Sequence, residues 1–254
     1  MHRIVLFVLL LITGCAGQPA AGPYPKPLPV AEVPGEIEGV LRQAAAEQKL
    51  AMLVLGANWC HDSTDFAAML ESPDLKPWLD AHYVIALYDQ GYLDHIAAYV
   101  QPFGVPTMYG TPTVLVIDPQ TRTLRNLDSH FYWRNASQLE IADARRYFEK
   151  TLAPLPPAEP IAPELAAALQ RIDAFEAAQA ERILAAYAAL GALMKEGDDG
   201  RPPEGFEEKW VSLAKMRGQI TEDLAELRRS AREQAEEGLA PVHLTFPNYS
   251  LFTD

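Results

Sequence analysis

The residues best suited to chemistry lie together in Trp59-Cys60-His61-Asp62-Ser63. An apolar run precedes them and a helical pattern comes after, so Cys60 is expected at the mouth of a helix. The first N–H groups of a helix lack intrahelical partners and carry partial positive charge. A thiolate placed there is stabilised and its pKa lowered. Such a thiolate attacks a disulfide to form a mixed disulfide, or is oxidised to a sulfenic acid that a partner reduces. His61 is positioned to tune it, since an imidazolium near sulfur favours the charged form; a solvated loop residue would look the same. Ser63 points back at the same first turn, where its hydroxyl can donate a hydrogen bond but cannot make a disulfide. Cys60 and His61 are too few ligands for a closed metal site. No metal and no cofactor are expected.

The second cysteine, Cys15, closes the N-terminal stretch MHRIVLFVLLLITGC. A short basic start, an apolar run from Ile4 to Ile12 and small residues are the layout of a secretory signal. The run is too short to span a bilayer as a helix. Ile12-Thr13-Gly14-Cys15 resembles the lipobox of bacterial lipoproteins. That resemblance implies that residues 1–14 are removed as a signal peptide and that Cys15 carries acyl chains, palmitate among them. The protein would then be lipid-anchored in the bacterial cell envelope, facing the periplasm. Ala16, in the position where an Asp tends to retain lipoproteins in the inner membrane, leans towards the outer membrane. Cys60 would be the only free thiol of the mature protein.

Several elements must position Cys60. Residues 36–50 have helical apolar spacing, 51–57 form a short buried strand, and 62–71 and 74–81 read as helices on either side of Pro73. Residues 83–88 make a second buried strand, 91–101 a further helix, and 113–117 a third strand. Asp118-Pro119-Gln120-Thr121 is a turn into an expected fourth strand at 122–127. Ser137 and Glu140 fit a capping box for a helix over 137–152. Between strand and helix lies His130-Phe131-Tyr132-Trp133-Arg134, whose aromatics either cover the thiol, meet a partner, or divide between core and surface. The alternation of buried strands and helices implies an α/β domain with a mixed sheet flanked by helices.

The flanks differ in character. Residues 15–35, with proline every two to four positions, read as an extended tether. The Pro-rich stretch 153–163 reads as a linker. Residues 164–237 carry two amphipathic patterns broken by 197–203, which predicts a C-terminal α-helical hairpin whose apolar seam is interrupted at Arg217. The tail, 238–254, is apolar enough to pack somewhere.

The block LVLGANWCHDS, with Gly110-Thr111-Pro112-Thr113 and a strand some fifty residues later, resembles the thioredoxin superfamily over residues 36–152. Trp59 and Cys60 match the start of its Trp-Cys-x-x-Cys motif, and Pro112 matches its cis-proline, in preference to Pro106. The resemblance implies a thioredoxin-like fold in which Thr111 and Pro112, with Trp59 and His61, position an extended substrate beside Cys60. The departures are informative. Ser63 replaces the resolving cysteine, and Val54 and Leu87 stand where the family often has a buried acid and a lysine that serve that second thiol. A self-contained dithiol cycle is therefore not expected.

The motif and its departures together imply monothiol thiol–disulfide exchange, with Cys60 as nucleophile and Ser63 in support. Its targets would be envelope protein thiols or disulfides, or a small thiol. The alternative is a non-catalytic binding or assembly module that uses the thioredoxin-like surface, with the helical hairpin meeting a protein partner. The formal charge of −13 over 254 residues excludes nucleic acid as a ligand held through phosphates.

Overall fold

The computed structural model describes residues 22–156, 160–197 and 203–252. The signal expected at 1–14, the lipidation expected at Cys15 and most of the turn expected at 197–203 lie outside the described residues.

The centre is a three-stranded sheet in the order β2-β1-β3. Strand β1 (Leu50–Gly56) pairs in parallel with β2 (Tyr83–Asp89) and antiparallel with β3 (Thr113–Ile117). Helices α2 (His61–Leu70) and α3 (Lys76–His82) make the crossover that a parallel pair requires. Helix α1 (Val33–Ala46) precedes the sheet, α4 (Ile96–Val100) links β2 to β3, and α5 (Ile141–Leu152) comes after β3. This is a mixed sheet flanked by helices, the α/β architecture expected from the sequence. It is completed by a C-terminal hairpin of α6 (Pro163–Glu196) and α7 (Phe206–Glu236).

Side chains alternate across a strand, so β1 feeds two cores. Met52 and Val54 pack with Phe66, Trp133 and Phe148 under α2 and α5. Ala51, Leu53 and Leu55 face the other way, into a cluster that contains Ile37 and Leu41 of α1. That cluster continues without a break into Ile172, Tyr187 and Leu190 of α6, Leu213 and Ile220 of α7, and Val242, Tyr249 and Leu251 of the tail. The seam of the hairpin is therefore spent on the sheet as well as on itself. Two details show how close the layers lie. The Tyr187 hydroxyl donates to the carbonyl of Met108 at 2.7 Å, and a Cβ on Gly191 would overlap the carbonyl oxygen of Tyr92. The stretch at 153–163 thus joins elements that share a core.

Four sequence expectations change. The segment expected as a fourth strand, 122–127, makes a single bridge between Ile117 and Leu124. The reason is Asn126, whose amide occupies the edge of β3: it accepts from Val116 N–H at 2.9 Å and donates to Val114 C=O at 2.8 Å. A side chain thereby replaces a strand. The helix expected from Ser137 begins at Ile141, with Glu140 as N-cap and Asp143 completing the capping box. Ser137 sits instead in a short 3-10 stretch, Tyr132–Gln138, and its N–H and hydroxyl both donate to Asp62 of α2. The helix expected at 91–101 is shortened to α4 and a 3-10 turn, Gln101–Phe103. Finally, the Pro-rich segment is not wholly a tether. Tyr24 is buried against Gly56, where a Cβ would collide with its ring. The missing side chain of Gly56 makes room for an aromatic that sequence reading left outside.

Candidate functional site

Strand β1 ends at Gly56, and the chain turns through Ala57, Asn58 and Trp59 to reach Cys60. Cys60 is the N-cap of α2, in extended conformation, with its N–H donating to Ala57 C=O at 3.1 Å. The turn is pinned from outside. Asn58 exchanges two hydrogen bonds with the Tyr24 backbone, at 3.0 and 2.9 Å, and the Tyr24 hydroxyl donates to Ser63 C=O at 3.2 Å. Burial pushes the Tyr24 phenol far up. Asn58 also reaches Asp89, whose carboxyl is raised above the usual range chiefly by burial.

The Thr111–Pro112 peptide is cis and faces this turn; Ala240–Pro241, in the tail, is cis as well. The Cys60 thiol donates to Thr111 C=O across 3.5 Å. Buried Gln90 holds the Thr111 hydroxyl at 3.0 Å. Thr111 and Pro112 are therefore brought to Cys60 as expected. Trp59 also joins, 36% exposed, with its indole N–H on Gly91 C=O at 2.9 Å. Val54 and Leu87 face each other in the β1–β2 ladder, so no ionisable side chain occupies either position.

Ser63 departs from expectation, and His61 takes the solvated of its two readings, at the rim of the cavity beside Cys60. Ser63 is fully buried and its hydroxyl has no partner among the described residues, so the hydrogen bond expected to Cys60 is not formed. Cys60 stands at the mouth of α2 in extended geometry, while Ser63 turns inward on the buried side of that helix. His61 points to solvent and pairs with Asp62 at 3.2 Å. Among the described residues, no three His, Cys, Asp or Glu side chains gather as a metal site.

The hairpin contributes to the surroundings of the thiol. Cys60 opens into a cavity of about 440 Å³ whose walls include Thr111, Arg134, Trp210, Arg217 and Gly218. Trp210 of α7 meets Trp59 edge-on at 6.1 Å. Arg217 of α7 donates to the Tyr187 hydroxyl at 3.0 Å and lies 5.6 Å from the Trp210 ring centre. Arg134 donates to the Thr221 hydroxyl at 3.2 Å. Burial, then the nearby charge of Arg217, lowers the pKa of Arg134. Gly110 allows this placement, because a Cβ there would strike Arg134. The aromatic cluster divides as core and surface: Trp133 is buried, Tyr132 is exposed, and it is Arg134 that reaches the thiol's cavity. Arg217 carried a signal in the sequence, as the charged residue that breaks the apolar seam of α7. Trp210 carried none, since it reads as an ordinary seam residue.

No family model and no curated protein matches the chain. Among solved structures, it is similar to the disulphide isomerase from Xylella fastidiosa Temecula1, with a TM-score of 0.48 and 21% identity, covering 53% of this chain and 100% of that one.

Proposed function

We propose that the protein is a monothiol thiol–disulfide exchanger acting through Cys60. The observation that carries this reading is the position of the thiol. Cys60 sits at the start of α2, partly exposed, 3.5 Å from the carbonyl of the residue before a cis-proline, and opens into a cavity. As N-cap of α2, Cys60 stands where a helix presents its unpaired N–H groups. Trp59 and Thr111 frame the approach, and Ser63 is buried in the first turn of α2. With Ser63 in place of a second thiol, the mixed disulfide is resolved by an external thiol. The lipobox-like Ile12-Thr13-Gly14-Cys15 supports lipid anchoring through Cys15, which would place this chemistry on the periplasmic side of a bacterial envelope membrane. No helix among the described residues is long and apolar enough to cross a membrane.

The test is the rate at which Cys60 forms a mixed disulfide with hydroxyethyl disulfide, monitored by intact-mass spectrometry. A rate above that of an unstructured cysteine peptide, abolished in Cys60→Ala, is expected. A rate equal to the peptide's would overturn the reading and favour a binding module.

A further inference from the structure

We propose that the cavity beside Cys60 is a subsite for a small thiol or disulfide bearing carboxylates, which Arg134 and Arg217 hold while Cys60 exchanges with it. This rests on the thiol-exchange reading and names its substrate class.

The chain is acidic, at −13, and several of its arginines are matched to carboxylates: Arg122 to Glu38, Arg228 to Glu176, Arg229 to Glu226. Arg134 and Arg217 are not. Their polar partners among the described residues are the hydroxyls of Thr221 and Tyr187, and aromatic rings lie beside both. The Nε of Arg217 is buried with no partner among the described residues. Two guanidinium groups line one cavity, and the charge of Arg217 acts on Arg134 more strongly than the opposing charge of Glu222. A buried donor without an acceptor is costly, and two cations facing one space raise that cost. A carboxylate relieves both. Arginine's planar fork suits a carboxylate, which can accept two parallel bonds.

Size and access narrow the occupant. About 440 Å³ lies within the range of small-molecule sites. Helix α7 lines the cavity through Trp210, Ala214 and Gly218, as Thr111 does from the thioredoxin-like part. A space of this volume, walled on two sides, takes a small molecule.

The chemistry balances without an added oxidant. The Cys60 thiolate attacks one sulfur of R–S–S–R; the Cys60–S–S–R bond forms, the original S–S bond breaks, and RS⁻ leaves to take a proton from solvent. A second thiolate, R′S⁻, attacks the R sulfur of the mixed disulfide. R–S–S–R′ forms and the Cys60 thiolate returns. Electron pairs move between equivalent sulfurs, so there is no net oxidation.

The experiment compares three disulfides of similar length on the full chain: dithiodipropionate (anionic), hydroxyethyl disulfide (neutral) and cystamine (cationic). Wild type is expected to react in that order of rate. Arg134→Gln and Arg217→Gln are each expected to lower the ratio of anionic to neutral rate constants by about tenfold. Arg217→Lys should restore part of the ratio. In wild type the preference should shrink as salt rises, a readout that survives if a variant misfolds. A wild-type ratio no higher than that of an unstructured cysteine peptide, or a ratio unchanged in both glutamine variants, would overturn the subsite. If Cys60 reacts with none of the three, the exchange reading fails on its own. The subsite is then decided by equilibrium dialysis of dithiodipropionate against Cys60→Ser. Retention that is lost on adding Arg134→Gln and Arg217→Gln supports it, and no retention overturns it.

Discussion

The indoles of Trp59 and Trp210 meet edge-on at 6.1 Å, joining the turn before Cys60 to the second helix of the C-terminal hairpin. Trp210 also stacks near Phe206 at 5.9 Å. The pair closes one side of the cavity into which the thiol opens. Trp210→Ala should widen that opening. The expected outcome is several-fold faster labelling of Cys60 by a bulky maleimide, read by mass spectrometry, with a stability loss of about 1 kcal/mol from the aromatic contacts. Unchanged labelling would mean that the tryptophan pair does not gate the thiol.

Asn126 completes the edge of β3 with its side chain, and its amide nitrogen also donates to the Tyr147 hydroxyl at 2.8 Å. Asn126→Ala strands a buried N–H and a buried C=O on β3. A loss of about 2–4 kcal/mol in urea unfolding is expected. A loss below about 0.5 kcal/mol would show that water or a shifted backbone satisfies the edge instead.

His130 is buried, with Nδ1 2.7 Å from Leu127 C=O and Nε2 without a partner among the described residues. Burial holds its pKa below 6.5. The folded state therefore keeps His130 neutral while the unfolded chain takes up a proton. Stability from this group is fully present above pH 6.5 and is lost as the pH falls from there through the folded pKa. The loss is at most about 1.4 kcal/mol per pH unit. His130→Asn can keep a donor to Leu127 C=O and removes the titration. It should flatten the fall in urea midpoint below about pH 6.5, and an identical fall in wild type and variant would assign the effect elsewhere.

The hairpin and tail share one apolar cluster with β1 and α1. A chain cut after residue 156 would remove the part of that cluster which α6, α7 and the tail supply, including Ile172, Tyr187, Leu190, Leu213, Ile220 and Tyr249. Such a chain should lack a cooperative thermal transition by circular dichroism. A sharp transition would show that the part containing the sheet is stable alone.

Much of this molecule was legible along the chain. The strands at 51–57, 83–88 and 113–117 and the helix after Cys60 arise from apolar runs and helical spacing, and all four appear within a residue or two. The cis bond at Thr111–Pro112 and its place beside Cys60 were legible from the motif. Local patterns failed where a single side chain did the work of an element. Asn126 took the role of a strand, Tyr24 buried itself out of a proline-rich segment, and the capping box moved three residues from Ser137 to Glu140.

What the sequence determined by itself is the placement of one thiol and its neighbours along the chain: Cys60 at a helix start, Ser63 three residues on, Val54 and Leu87 without ionisable groups. Those facts are local in the chain. What only the tertiary structure decided is the environment of that thiol. Periodicity marks which face of α7 is apolar, but not which surface it covers. Packing of the hairpin onto the β1 face brings Trp210 and Arg217 to Cys60 and sets Arg217 beside Arg134. The charge that broke the seam of α7 thereby becomes one of two cations lining the cavity at the thiol.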